Sequence, residues 1–274
     1  MSYSLSKLRE LYPEFIFKKF EYKLVTSSLE ICFYYEIVPN IKFTHKVYVE
    51  DVNIERLKKL DSDVLENLIF NLGIVESISY WKSTCSPHIK IDSGSLDNYQ
   101  ILWWKDLFVK GMGQYFYENG IDFRYSNFIT ITSKKKSSNK IKLAHVKDNK
   151  VLVPIGGGKD SAVTLELLQK VNTNSLDALI VSPSSAASER VSRKAEVDYI
   201  LRINRVMDQK LLDLNSRGFL NGHVPYSAKL HFISVLAAYI FDYGQIVFSN
   251  ERSSDEANLT YLGMEINHQY SKTN

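Results

Sequence analysis

The chain has 274 residues, 45% hydrophobic and 24% charged, enough apolar material for one large domain or two modest ones. A net charge of +3 lacks the basic excess of a nucleic-acid binder. Cys32 and Cys85 are too few for a disulfide framework, the opening MSYSLSKLREL has no signal-peptide core, and the apolar stretch Phe232 to Phe241 is far short of the ~20 residues of a membrane span. A cytoplasmic protein with no nucleic-acid or membrane partner is the expectation.

In chain order, Phe20, Tyr22 and Leu24 alternate, Thr26-Ser27-Ser28 reads as a turn, and Leu29 to Ile37 alternate again. Ile41, Phe43, His45, Val47 and Val49 keep the same period, which predicts a small antiparallel meander with His45 as a packed residue. Helical spacing runs from Ile54 to Leu72, with Gly73 placed as a C-cap. A strand is expected at Ile89 and Ile91 before a Ser93-Gly94 break, and Ser95 to Glu118 reads as one aromatic helix. Ile121 to Thr132 is a further extended stretch. The run SKKKSSNK, 133–140, reads as a solvated connector and divides the chain into an N-terminal α+β domain (1–140) and a second domain (141–274).

The second domain opens on VLVPIGGGKDSAVTLELL, 151–168. Five mostly apolar residues make a buried strand, three glycines make a turn, and Ala162, Val163, Leu165, Leu167 and Leu168 follow at helical spacing. Strand, glycine turn and helix aim unpaired amides and a helix dipole at one point, where an anion belongs. Spacing narrows the choice. A Walker A loop needs glycine where Val153 stands and Ser or Thr where Asp160 stands, and a dinucleotide fingerprint needs glycine where Ser161 stands.

Leu176 to Pro183 reads as a second strand ending in a Ser-rich loop, Val197 to Leu214 as a long helix, and Ala228 to Phe241 as a buried helix. His231 within that last helix is expected to be a core residue. Gln245 to Ser249 is a third strand running into Asn250-Glu251-Arg252. Strands alternating with helices imply a parallel sheet with ligands at the carboxyl ends of its strands. Asp160 and Glu251 are then candidate ligands of Mg2+, and Arg252 a phosphate or carboxylate clamp.

Gly156-Gly157-Gly158-Lys159-Asp160-Ser161 resembles the pyrophosphate loop (PP-loop) of ATP pyrophosphatases, written Ser-Gly-Gly-x-Asp-Ser, with Gly156 in place of the first serine. Four stretches, GGGKDS (156–161), NGHVP (221–225), SNERS (249–253) and NHQYSK (267–272), together resemble the ATP-dependent UDP-N-acetylmuramoyl-L-alanyl-L-glutamate epimerases, and YWKSTCSP (80–87) is similar too. The resemblance departs from the family at Ser254-Asp255-Glu256-Ala257-Asn258, and it implies a further segment beyond Asn274.

The fold so implied is α/β: a C-terminal parallel-sheet PP-loop ATP-binding domain after an N-terminal α+β domain. The implied activity inverts the terminal L-Glu of UDP-MurNAc-L-Ala-L-Glu through an acyl-adenylate, consuming ATP with Mg2+ and giving AMP and diphosphate for peptidoglycan synthesis. Gly156, Gly157, Gly158, Lys159, Asp160, Ser161, Asn250 and Arg252 would hold the nucleotide, and Asp160 and Glu251 the metal. Candidates for moving the proton are His223, His268, Cys85, Tyr270 and Lys272. Two other readings stay open: another PP-loop adenylating ligase, and a non-catalytic nucleotide-binding remnant.

Overall fold

The computed structural model describes residues 3–134, 150–171 and 175–272. After helix α1 (Leu5–Leu11), strands β1 (Glu14–Val25), β2 (Ser28–Ile37) and β3 (Ile41–Val49) form the expected meander. Their alternation buries Ile31, Phe33, Tyr35 and Ile37 on β2 and Phe43, Val47 and Val49 on β3 beneath the helices.

The helical stretch that follows is longer than its spacing implies. A short α2 (Ile54–Leu57) precedes α3 (Ser62–Trp81), whose first amides donate to the Asp61 carboxylate. Gly73 is therefore not a C-cap but lies in mid-helix. A Cβ there would stand 2.4 Å from Phe17 Cζ and 2.8 Å from Phe33 Cδ1, so glycine lets α3 lie flat on β1 and β2. The Tyr35 hydroxyl donates to the Gly73 carbonyl at 2.7 Å across the same contact.

Strand β4 (His88–Ser95) runs through the expected Ser93-Gly94 break and pairs parallel with β1. The aromatic stretch divides at Gly111-Met112 into α4 (Asn98–Lys110) and α5 (Gly113–Glu118), and only β5 (Thr130–Lys134) of the next extended stretch is a strand. The connector assigned to 133–140 lies largely outside the described residues.

The second half builds β6 (Val151–Pro154), α6 (Lys159–Lys170) and β7 (Leu176–Ser182). Here the sequence expectation needs correcting twice. The Ser-rich loop contains α7 (Ala186–Lys194), and the long helix over 197–214 is strand β8 (Tyr199–Val206) followed by α8 (Gln209–Ser216). Leu201 and Ile203 alternate inward on β8 while Arg202 and Asn204 stay half-buried, a period of two. Then come α9 (Tyr226–Phe241), the two-residue β9 (Gln245–Ile246) and a small hairpin of β10 (Leu259–Tyr261) and β11 (Met264–Ile266).

Among the described residues, all strands but that hairpin form one nine-stranded mixed sheet, ordered β5-β4-β1-β2-β3-β8-β7-β6-β9. The limb β8-β7-β6-β9 is parallel throughout, and it joins the meander through antiparallel pairing of Lys46–Val49 with Ile203–Val206. Both faces are covered, so β6 and β7 read as continuous apolar runs. Val151, Val153, Ala178 and Ile180 pack under α6 with Leu165, while Leu152, Leu179 and Val181 face the large core shared with α9. Among the described residues no helix is long and apolar enough to cross a membrane.

Gly73→Ala separates two opposed effects. Helix propensity favours alanine by about 1 kcal/mol, whereas the close ring contacts predict a net loss of about 1–3 kcal/mol from overpacking. Urea unfolding should show a lower midpoint; a raised midpoint would mean that Phe17 and Phe33 yield freely.

Candidate active site

Because β6, β7 and β9 are parallel, their carboxyl ends meet on one edge. The glycine turn follows β6 there. Gly156 and Gly158 are exposed, and a Cβ on either would meet nothing within 4 Å, so the backbone is open to close approach. Gly157 is different: its φ is +85°, and a Cβ would stand 2.6 Å from the Ser188 amide nitrogen at the start of α7. The turn thus faces outward while its middle residue is pressed against the next crossover.

Gly158 is the N-cap of α6 and offers no side-chain acceptor to the first-turn amides. Asp160 sits half-buried in that first turn. Ser161 is buried, and its hydroxyl donates back to the Gly158 carbonyl at 3.2 Å, so it braces the turn. Lys159 is 82% exposed, and its Nζ lies 3.9 Å from Glu251 Oε2, which brings the loop after β9 to the glycine turn. Asn250 and Arg252 are exposed on that loop, Arg252 opening a short 3-10 turn, Arg252–Asp255.

No group of three or more His, Cys, Asp and Glu placed to hold a metal occurs among the described residues. Magnesium is commonly held by one or two carboxylates with substrate phosphates and waters. The donor set of Asp160 and Glu251 fits that mode, and no all-protein cage.

From Glu251 the chain is tied onward to a pair of histidines. The Ser254 hydroxyl and amide both donate to the Glu251 carbonyl, and Asn267 Nδ2 donates to the Ser254 carbonyl at 2.6 Å. The His268 amide then donates to Asn258 Oδ1 at 2.8 Å. These bonds set the His268 ring 6.1 Å from that of His223, centroid to centroid, with the planes at 74°. His223 is half-buried, and burial holds its pKa below 6.5 although a hydrogen bond to the His268 backbone opposes this. Burial thus favours the neutral imidazole, the form able to accept a proton.

The remaining sequence candidates are placed elsewhere. Cys85 is fully buried, and burial raises its thiol to about 11 against the opposing pull of Arg9, whose guanidinium donates to the Cys85 carbonyl at 2.9 Å. A reachable thiolate does not exist there. Lys272 donates to Gln269 Oε1 at 2.6 Å within its own turn. Tyr270 donates to Asp106 at 2.6 Å, anchoring the tail to α4.

A family profile described as the MurL N-terminal domain matches residues 6–274. The chain belongs to this family. Three curated proteins, each named UDP-N-acetyl-alpha-D-muramoyl-L-alanyl-L-glutamate epimerase, share 32% identity with it: over 203 residues in Xanthomonas oryzae, 205 in Salinispora tropica and 206 in a Micromonospora species. Each match covers 73% of this chain but only 43–44% of the relative, so the matched stretch spans less than half the length of these relatives. No solved structure matches it.

The family member has one feature that sequence reading passed over. Glu76 of α3 is fully buried and accepts two hydrogen bonds from Arg205 of β8, at 2.6 Å each, while Lys229 of α9 lies 3.9 Å and His45 Nε2 3.6 Å from it. Burial alone would raise the Glu76 pKa, but Arg205, then His45 and Lys229, hold it well below the usual range. Burial lowers Lys229 to about 7 with Glu76 opposing, and its ammonium also donates to the Ser79 hydroxyl. The available signal was an acid in the apolar C-terminal half of α3 and the one lysine of the apolar α9.

Gly157→Ala should lower stability by more than 1 kcal/mol, as expected for a side chain at positive φ with a backbone clash. Gly156→Ala should stay within about 0.5 kcal/mol of wild type. Denaturant titration of the two variants compares them directly, and equal costs would contradict the packing of Gly157 on α7.

Proposed function

We propose that this chain takes part in ATP-dependent epimerisation of the terminal glutamate of UDP-MurNAc-L-Ala-L-Glu during peptidoglycan precursor synthesis. The observation that carries the reading is the facing pair His223 and His268, tied through residues 251–267 to an outward-facing glycine turn. The names of the family relatives supply the substrate.

An α C–H beside a free carboxylate is nearly non-acidic, because the carbanion would form next to an existing negative charge. Each pKa unit of acidity gained is worth about 1.4 kcal/mol. ATP supplies an AMP group that, once on the carboxylate, removes this charge and allows an enolate to form. The amides of 156–158 and the positive end of α6 would bind the departing diphosphate, Asp160 and Glu251 would hold Mg2+ to neutralise charge on the phosphates, and Lys159 and Arg252 would assist it. Neutral His223 takes the α-proton from one face, and His268 returns a proton to the other.

Reprotonation of the enolate followed by hydrolysis of the acyl-AMP releases the D-Glu product and AMP.

Incubation with ATP, Mg2+ and the L-Glu nucleotide, resolving AMP and the two diastereomers, tests the reading. Asp160→Ala should abolish AMP formation; undiminished AMP would remove Asp160 from nucleotide activation. His223→Gln should leave substrate-dependent ATP/diphosphate exchange in place while epimerisation falls on the order of 100-fold or more. Exchange with a different carboxylic acid would support an adenylating ligase, and nucleotide binding without exchange a non-catalytic protein.

A further inference from the structure

The YWKSTCSP segment contributes no reachable thiol, yet it contains a charged side chain that reaches the histidine loop. Lys82 follows the last residue of α3 and is 9% exposed. Its Nζ donates to Asn221 Oδ1 at 2.5 Å and to the Gly222 carbonyl at 2.9 Å, the two residues immediately before His223. The backbones are joined as well: the Leu220 amide donates to the Ser83 carbonyl at 3.1 Å, and the Tyr115 hydroxyl to the Lys82 carbonyl at 2.6 Å.

On its other side the loop has no slack. Asn119 Nδ2 donates to the Asn221 carbonyl at 2.9 Å. Gly222 has φ +153°, and a Cβ there would stand 2.7 Å from Glu118 Oε2 and 3.2 Å from the Tyr115 ring. Burying an ammonium against two neutral oxygens is costly, and burial indeed lowers the Lys82 pKa, with Glu118 opposing. Simple packing would be met at lower cost by an uncharged side chain. A cation with two donors converging on residues 221 and 222 instead fixes the direction in which residue 223 leaves the loop.

We propose that Lys82 is a positioning residue that aims the His223 ring at His268. Lys82 grips the loop from the α3 side, Asn119 from the α5 side, and His223 emerges between them. The charged groups that face His223 are His268, Glu118 and Lys229, so a displaced ring exchanges this surrounding for solvent. The role in turnover rests on His223 acting as the proton acceptor proposed above, whereas the hold on the ring is a property of the folded chain alone.

The test compares full-length Lys82→Met, Lys82→Arg and Asn221→Ala with wild type. In NMR titrations of the histidine ring protons, Lys82→Met and Asn221→Ala should move the His223 midpoint up towards 6.5 as its burial is lost, and Lys82→Arg should stay near wild type. In the epimerase assay, Lys82→Met should lower kcat on the order of 100-fold, the scale of a ~1 Å misplacement, with KM for the nucleotide within about twofold and partial recovery in Lys82→Arg. An unchanged His223 titration in Asn221→Ala and Lys82→Met, or Met supporting kcat as well as Arg does, would overturn the assignment. If Lys82→Met fails to fold, Asn221→Ala decides by the same two readouts. A wild-type chain that turns over no substrate would count against the epimerase reading, while the NMR titration would still decide whether Lys82 holds His223.

Discussion

The doubly hydrogen-bonded ion pair between Glu76 and Arg205 fixes where everything at the candidate site stands. It joins α3, which packs on the meander, to β8, the first strand of the parallel limb, at a point shielded from water. A buried carboxylate deprived of its partner costs about 3–5 kcal/mol, so α3 cannot slide along β8 cheaply. Because Lys82 extends the C-terminal end of α3 and the glycine turn lies two strands beyond β8, this one interaction ties the histidine loop to the edge that carries the glycine turn. Lys229 brings the first turns of α9 into the same cluster, and α9 begins directly after the His223 loop.

The two halves of the chain therefore meet as neighbours in one sheet. The meander contributes a platform for α3, the parallel limb contributes the strand ends, and residues 249–268 stretch between the glycine turn and the histidines. A cavity of about 620 Å³ opens between α3, α4 and α9, and it shares Tyr270 and Ser271 with the tail that carries His268. The reaction proposed needs such linkage, since removing the carboxylate charge and moving the α-proton must happen on one substrate held in one place.

Local chemistry that is written in consecutive residues was legible beforehand. The turn 156–158 could be read because glycines between a buried strand and an amphipathic helix have few other uses, and β2 and β3 because their alternation is strict. Strand β8 was not, since Val197, Ile200, Leu201 and Val206 fall near helical spacing while Arg202 and Arg205, on the strand, earn their places through partners on α7 and α3. Helix α7 was missed because its buried positions are Ser188 and Ser192, small polar residues that allow Gly157 to approach rather than form an apolar stripe. Gly73 resembled a helix end only because Phe17 and Phe33, more than 35 residues earlier, demand a missing side chain there.

The candidate residues could be chosen by type, but their arrangement could not be read from the sequence. His223 and His268 were both candidates, yet 45 residues separate them, and the bonds through Ser254, Asn258 and Asn267 help bring them edge to face. Cys85, one of the sequence candidates, is inert by burial, whereas Lys82, three residues earlier, was not among them.

The most direct measurement of the central claim is deuterium incorporation at the glutamate α-carbon in heavy water. With ATP and Mg2+ present, the account predicts solvent deuterium at that carbon in the D-Glu product, and none when ATP is omitted. Incorporation independent of ATP, or AMP release with inversion and no deuterium at the α-carbon, would contradict it.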